Sequence, residues 1–247
     1  MFSIFRKEIS GFFNSLTGYV VIIVFLIANS LFMWVFPGEW NILDSGYAGL
    51  DTLFFLSPWL FLFLVPAITM RMIAEERRLG TIDLILSRPV TEREIVYGKY
   101  LASVILVLLA LLPCIIFYIS VWLLGESQGN LDKGGTMGAF VGLFFLAAIY
   151  VSAGIFASSL TDNQVIAFIT AIFICFILFA GFDSFAYLPG LKQVDEFVIR
   201  LGINEHYKSM SRGVIDVKDI AYFIAVIAIF NEFTVMQLLS RRWRKKN

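Results

Sequence analysis

The sequence predicts an all-α integral membrane protein with six transmembrane helices, and three observations carry that prediction. Hydrophobic residues make up 59% of the 247 and charged residues 15%, with 26 phenylalanines, which is more apolar surface than a soluble chain can hide. No charge falls between Glu8 and Glu39, Asp51 and Arg71, Lys99 and Glu126, Lys133 and Asp162, or Asp162 and Asp183. Each interval supplies the about 20 apolar residues that a bilayer-crossing helix needs. With both termini cytoplasmic, 13 of the 19 Lys and Arg residues fall on the inner side, as the positive-inside bias asks of an even number of spans.

The elements follow in order. Residues 2–17 carry Phe2, Phe5, Ile9, Phe12 and Leu16 at spacings of three and four, which suits a helix lying in the membrane interface; the alternative is a cytosolic extension of the first span. That span covers 18–36. Its apolar core is too long for a signal peptide, and no convincing small-x-small cleavage site follows before Pro37, so it is expected to remain as an anchor. The second span, 52–72, contains Pro58 and Pro66, and the third, 100–124, contains Pro113; each proline removes a backbone donor and predicts a kink. The fourth, 136–160, carries the small-residue pairs Gly138 and Gly142, Ala153 and Ala157, and Gly154 and Ser158. Such pairs serve a subunit interface or close packing within the bundle.

A link of about four residues, Thr161 to Gln164, forces the fourth span and the fifth, 164–182, to be antiparallel neighbours. Asp183 then marks the outer membrane edge. The outer loop, 183–218, repeats Val194, Phe197, Val198 and Leu201 as one apolar face, then Tyr207, Met210 and Val214, a pattern of short amphipathic helices rather than an independent domain. The sixth span, 219–240, contains Glu232. Its eleven Leu, Ile, Phe and Val residues contribute roughly −3 to −7 kcal/mol to insertion, against about +3 for one central charge. Cys114 and Cys175 fall within spans and are expected to be packing residues.

A charged island interrupts the apolar pattern from Arg71 to Lys99, with 11 of the chain's 38 charged residues. Within it Leu79, Ile82, Ile85 and Leu86 form a short apolar face, and Pro89 ends it. Thr91-Glu-Arg-Glu94 then reads as a capping box that opens the next helix. The coupling segment, 74–98, is therefore expected as two short helices with a sharp corner, placed to meet something in water.

Glu75-Glu-Arg-Arg-Leu-Gly-Thr-Ile-Asp-Leu-Ile-Leu-Ser-Arg-Pro-Val90, followed by Glu94-Ile-Val-Tyr-Gly-Lys-Tyr-Leu-Ala102, resembles the cytoplasmic signature of ABC-2 type transporter permeases. The likeness extends along the whole chain, through the interfacial helix, six spans and Met210-Ser-Arg-Gly-Val-Ile-Asp216 before the last helix. It implies a non-catalytic permease subunit of an ATP-driven exporter, in the bacterial inner membrane, with both termini cytoplasmic. Its partners would be an ABC ATPase subunit, which holds ATP and Mg, a second permease subunit, self or related, and membrane lipids, with no nucleic acid. The resemblance makes the island a coupling helix seated in a groove of the ATPase. The residues it assigns to that coupling are Glu75, Glu76, Arg77, Leu79, Gly80, Thr81, Ile82, Ile85 and Pro89. In physical terms Leu79, Ile82 and Ile85 would supply apolar contact, Glu75 to Arg78 a charged rim, and Gly80 a turn or close backbone approach. More narrowly, Phe5-Arg-Lys-Glu8, Phe182-Asp183 and Ser240-Arg-Arg-Trp243 resemble the permease subunit of gliding-motility-associated ABC transporters.

The residues also exclude chemistry. A phosphate loop needs Gly five places before its Gly-Lys and Ser or Thr after it, whereas Gly98-Lys99 has Arg93 and Tyr100 there. No histidine lies in a span, so an intramembrane protease lacks its base. The remaining rival is a secondary transporter or channel, which would place ionisable groups at midplane in repeated halves; Glu232 is the one candidate intramembrane polar site. His206, the only histidine, sits in the outer loop without Asp or Cys partners at ligand spacing.

Overall fold

Among the described residues, six helical stretches are long and apolar enough to cross a membrane: Gly18–Val35, Asp51–Arg78, Glu92–Leu124, Lys133–Leu160, Gln164–Ser184 and Val217–Ser240. The computed structural model describes residues 1–87, 89–125, 131–186 and 199–244, and within them no strand occurs. The protein is an all-helical membrane bundle. In chain order the elements are α1 Phe2–Phe13, α2 Leu16–Ser30, α3 Ile42–Ser45, α4 Asp51–Thr69, α5 Ala74–Arg78, α6 Thr81–Leu86 and α7 Glu92–Leu111. They continue with α8 Cys114–Leu124, α9 Lys133–Leu160, α10 Gln164–Phe176, α11 Phe182–Ala186, α12 Ile203–Ser211 and α13 Val217–Arg244. Single π turns lie at Leu31–Val35, the end of the first span, and at Ile177–Gly181, within the fifth.

The prolines behave differently from one another. Pro113 separates α7 from α8, whereas Pro58 and Pro66 stay inside α4. Pro58 has no N–H to offer the carbonyl one turn back, that of Phe54. The Tyr207 hydroxyl of α12 donates to that carbonyl at 2.7 Å, so a donor from the segment before the last span replaces the missing backbone bond.

α9 is the axis on which α4, α7, α10, α12 and α13 pack. Its small residues explain how. A Cβ at Gly154 would overlap the Thr69 hydroxyl of α4, one at Gly138 the Met210 carbonyl of α12, and one at Gly142 would press on Met210 and Tyr207. Ala153 and Ala157 are fully buried. Of the two uses open to these pairs, packing within the bundle is the one they serve here. Asn163 caps α10 through the Val165 amide, and α9 and α10 lie side by side across that short link. Cys114 and Cys175 are buried and unbridged.

The bundle has two distinct ends. At one are α1, the island and the 161–163 link, joined by Lys99 to Glu8 and by Ser158 to Ile73. At the other are α3 and α12, where Thr52 also donates to the Trp40 carbonyl. α1 crosses α7 where Gly98 faces Met1 and Ile4, so the helix expected at the interface is seated on the third span. Of the apolar face expected in the outer loop, Val194, Phe197 and Val198 lie outside the described residues.

Candidate functional site

The island is built from three helical pieces rather than two. α4 stops at Thr69, and a turn over 70–73 redirects the chain into α5. Ser158 of α9 holds that turn: its hydroxyl donates to the Met70 carbonyl at 2.9 Å and accepts the amides of Ile73 and Ala74 at 3.1 and 3.0 Å. Those amides open a helix and have no partner of their own within it. Arg77 donates to the Ser159 carbonyl, satisfying an acceptor near the C-terminus of α9.

Gly80 makes the corner between α5 and α6 with φ +70, and no atom of the described residues lies near the place of its missing side chain. The glycine is there for backbone conformation, and the turn, not close approach, is what it supplies. The capping box forms as its residues predict: the Glu94 amide donates to Thr91 Oγ1 at 3.3 Å and the Thr91 amide to Glu94 Oε2 at 3.0 Å. It opens α7 at Glu92, so the last turns of the expected coupling segment are already the first turns of the third span.

Four charges close the site from within. Lys99, 1% exposed in α7, donates to Glu8 Oε1 at 2.6 Å and to the Met72 carbonyl at 2.7 Å, and its ammonium is ion-paired with Glu76 Oε1 at 2.9 Å. Lys7 adds a second cation 2.6 Å from Glu76 and 3.7 Å from Glu8. Two lysines and two glutamates thus pair to neutrality, as burial demands. Burial draws the Lys7 pKa down, but hydrogen bonding and attraction to Glu76, then to Glu8, outweigh it and hold the pKa above the ordinary lysine value. One buried ammonium therefore ties α1, α5 and α7 together.

This arrangement redistributes the expected contact residues. Glu76 and Ile82, expected on the docking face, point inward, Glu76 into the ion cluster and Ile82 into the core at 1% exposed. Both are covered because the island folds back on the bundle. Leu79 and Leu84 are 62% and 68% exposed and take the outward place; Leu84 was not among the expected contacts. Arg78, Gly80 and Pro89 are exposed, while Glu75, Arg77, Thr81 and Ile85 are half-buried. Glu75, Leu79, Thr81, Leu84 and Ile85 line a groove of about 860 Å³ between α1 and the island.

Glu232 belongs to this end as well. Its carboxylate meets the Arg93 guanidinium at 3.1 Å and the Tyr97 hydroxyl at 3.5 Å. It lies beside the first turns of α7, the interface-proximal of the positions its sequence allowed. Lys7, Glu8, Lys99 and Ser158 were not marked as site residues by sequence reasoning. A wheel through α7 would have found Lys99: Ile95, Val96, Ala102 and Ser103, three and four residues away, are all buried with it.

The profile of the family described as "ABC-2 family transporter protein" matches residues 51–238. No curated protein matches the chain. The matched region runs from the start of α4 through the island to the end of the last span, and such a family member works with an ABC ATPase. With the six apolar helices, this establishes that the chain belongs to the ABC-2 family of transporter proteins, as a multi-pass membrane permease of an ABC transporter.

Proposed function

We propose that the island end of the bundle faces the cytosol and that the segment from Glu75 to Pro89 receives the movement of the ATPase subunit. The observation that carries this reading is the buried Lys99 ammonium. It joins the island helix α5 to the third span and to α1, so a push on the island moves spans instead of being absorbed in a loop. The residues divide by task. Arg78 of α5, Leu79 in the turn after it and Leu84 of α6, all exposed, with Glu75 at the groove, form the contact surface. Gly80, Thr81 and Pro89 set the corners. Glu76, Arg77 and Ile82 transmit, through the ion cluster, the end of α9 and the core. Ile85 lines the groove. The excess of basic residues at this end supports its cytosolic placement in a bacterial inner membrane.

A six-span chain of this kind pairs with a second permease, a copy or a relative, to enclose a path. The wording at Phe5 to Glu8, Phe182-Asp183 and Ser240 to Trp243 supports the gliding-motility-associated system as the assembly it serves. The test is to co-purify the chain with a co-produced ABC ATPase and measure ATP turnover. Leu84→Asp and Leu79→Asp change exposed side chains, so the chain stays folded while association falls. An ATPase that binds and turns over equally well with both variants refutes the contact surface. For orientation, a cysteine at Arg78 is expected to label from the cytosol alone and one at Val214 from outside alone; the reverse pattern removes the topology.

A further inference from the structure

His206 lies on the end of the bundle opposite the island, and the fold gives it the acidic partner its sequence spacing hid. Nδ1 is 2.7 Å from Asp219 Oδ1, 13 residues on at the head of α13, and Nε2 is 2.9 Å from the Arg200 carbonyl. A carbonyl oxygen can only accept, so Nε2 carries a proton. Where Asp219 is ionised its Oδ1 can only accept, so Nδ1 then carries one too, and a ring protonated on both nitrogens is an imidazolium.

Two further observations agree. Asp219 is buried and its Oδ2 has no hydrogen-bond partner among the described residues, a placement that is costly for a carboxylate without a cation beside it. The His206 ring also stacks on Tyr222, centroids 3.9 Å apart and planes inclined by 19°, where a cation gains from the aromatic face. We propose that His206 is held as an imidazolium and acts as a proton-dependent clasp fixing α12 to α13.

The surroundings make Asp219 the carboxylate that faces the ring. Asp183 of α11 is engaged by Asn204 at 2.5 Å and by Lys208 at 3.7 Å. Tyr222 and Phe223 of α13 flank the ring, and Arg200, which has a further interaction of its own, presents its carbonyl. Glu205 and Lys208 are the charged residues of α12 itself. What the clasp holds is the element whose Tyr207 and Met210 seal the outer ends of α4 and α9. Loss of the proton leaves a bare ring nitrogen opposite an acceptor, whichever nitrogen loses it, and removes the cation from a buried carboxylate. The held state is therefore the low-pH state, and α12 loosens as the proton leaves. This is independent of what the island engages.

His206 is the only histidine, so histidine-selective ¹⁵N labelling of the full chain in lipid nanodiscs yields one imidazole. Both ring nitrogens are expected to show directly bonded protons at neutral pH. A bare nitrogen there, including Nδ1 accepting from a protonated Asp219, overturns the proposal. Hydrogen exchange over 203–211, corrected for intrinsic rates, should quicken on the order of tenfold as the imidazolium signal disappears. His206→Phe keeps a ring on Tyr222 without either donor; it should exchange at neutral pH as fast as the deprotonated protein and respond no further to pH. Protection that stays constant through the titration equally overturns it.

Discussion

Replacing Lys99 by Met tests whether the buried ammonium is the tie that holds the island. Methionine fills a similar volume but leaves Glu8 and Glu76 facing each other with Lys7 as their remaining cation. Removing one partner of a buried pair costs roughly 3–5 kcal/mol because the other charge is left uncompensated. Lys7, 2.6 Å from Glu76 but largely exposed along its side chain, screens part of this, so the lower figure, about 3 kcal/mol, is expected here. For a chain of this size that is about 6–12 °C in melting temperature. The assay is thermal unfolding of the purified chain in detergent, followed by tryptophan fluorescence. The triple variant Lys99→Met, Glu8→Gln, Glu76→Gln removes the stranded charges and should recover most of the loss, since an apolar replacement of a buried ion cluster is close to neutral. A single variant as stable as wild type, or a triple variant no better than the single, refutes the account of Lys99 as a paired buried cation.

Three other outcomes follow from the same geometry. Tyr207→Phe orphans the Phe54 carbonyl and should lower stability by about 1–3 kcal/mol; in a Pro58→Ala background, where a backbone amide returns to that carbonyl, the same substitution should cost measurably less, and equal costs in both backgrounds would refute the replacement bond. Asn231 is fully buried with both amide atoms unpartnered among the described residues, so Asn231→Leu should raise the melting temperature, whereas a drop would reveal a partner for the amide. The Lys7 pKa is raised in the folded protein, so its contribution is complete below the ordinary lysine value and disappears as pH rises through the folded one; Lys7→Gln should flatten the alkaline limb of the stability profile above about pH 10 and leave the limb near neutrality unchanged in shape.

The spans were legible because a lipid-facing helix leaves its mark locally: twenty residues without charge need no knowledge of a neighbour. The Thr91 to Glu94 cap was legible for the same reason, both halves lying within one turn. What escaped was whatever depends on two distant segments. Lys99 counted in the sequence as one more basic residue at a membrane boundary, because its partners are 91 and 23 positions away. Ile82 and Glu76 were placed outward because a single short helix cannot say which of its neighbours will cover it. His206 was read as isolated since Asp219 sits beyond a turn and at the head of another helix, a spacing that no ligand motif encodes.

Ser158 has one more consequence, and it concerns the order in which the chain is made. The hydroxyl that fastens the turn between α4 and α5 is 85 residues beyond the Ile73 amide it accepts. Until the fourth span has been synthesised and inserted, the Met70 carbonyl and the amides of Ile73 and Ala74 have no such partner. The island therefore acquires its finished shape late, and a protein that recognises that shape selects chains already threaded through the membrane at least four times.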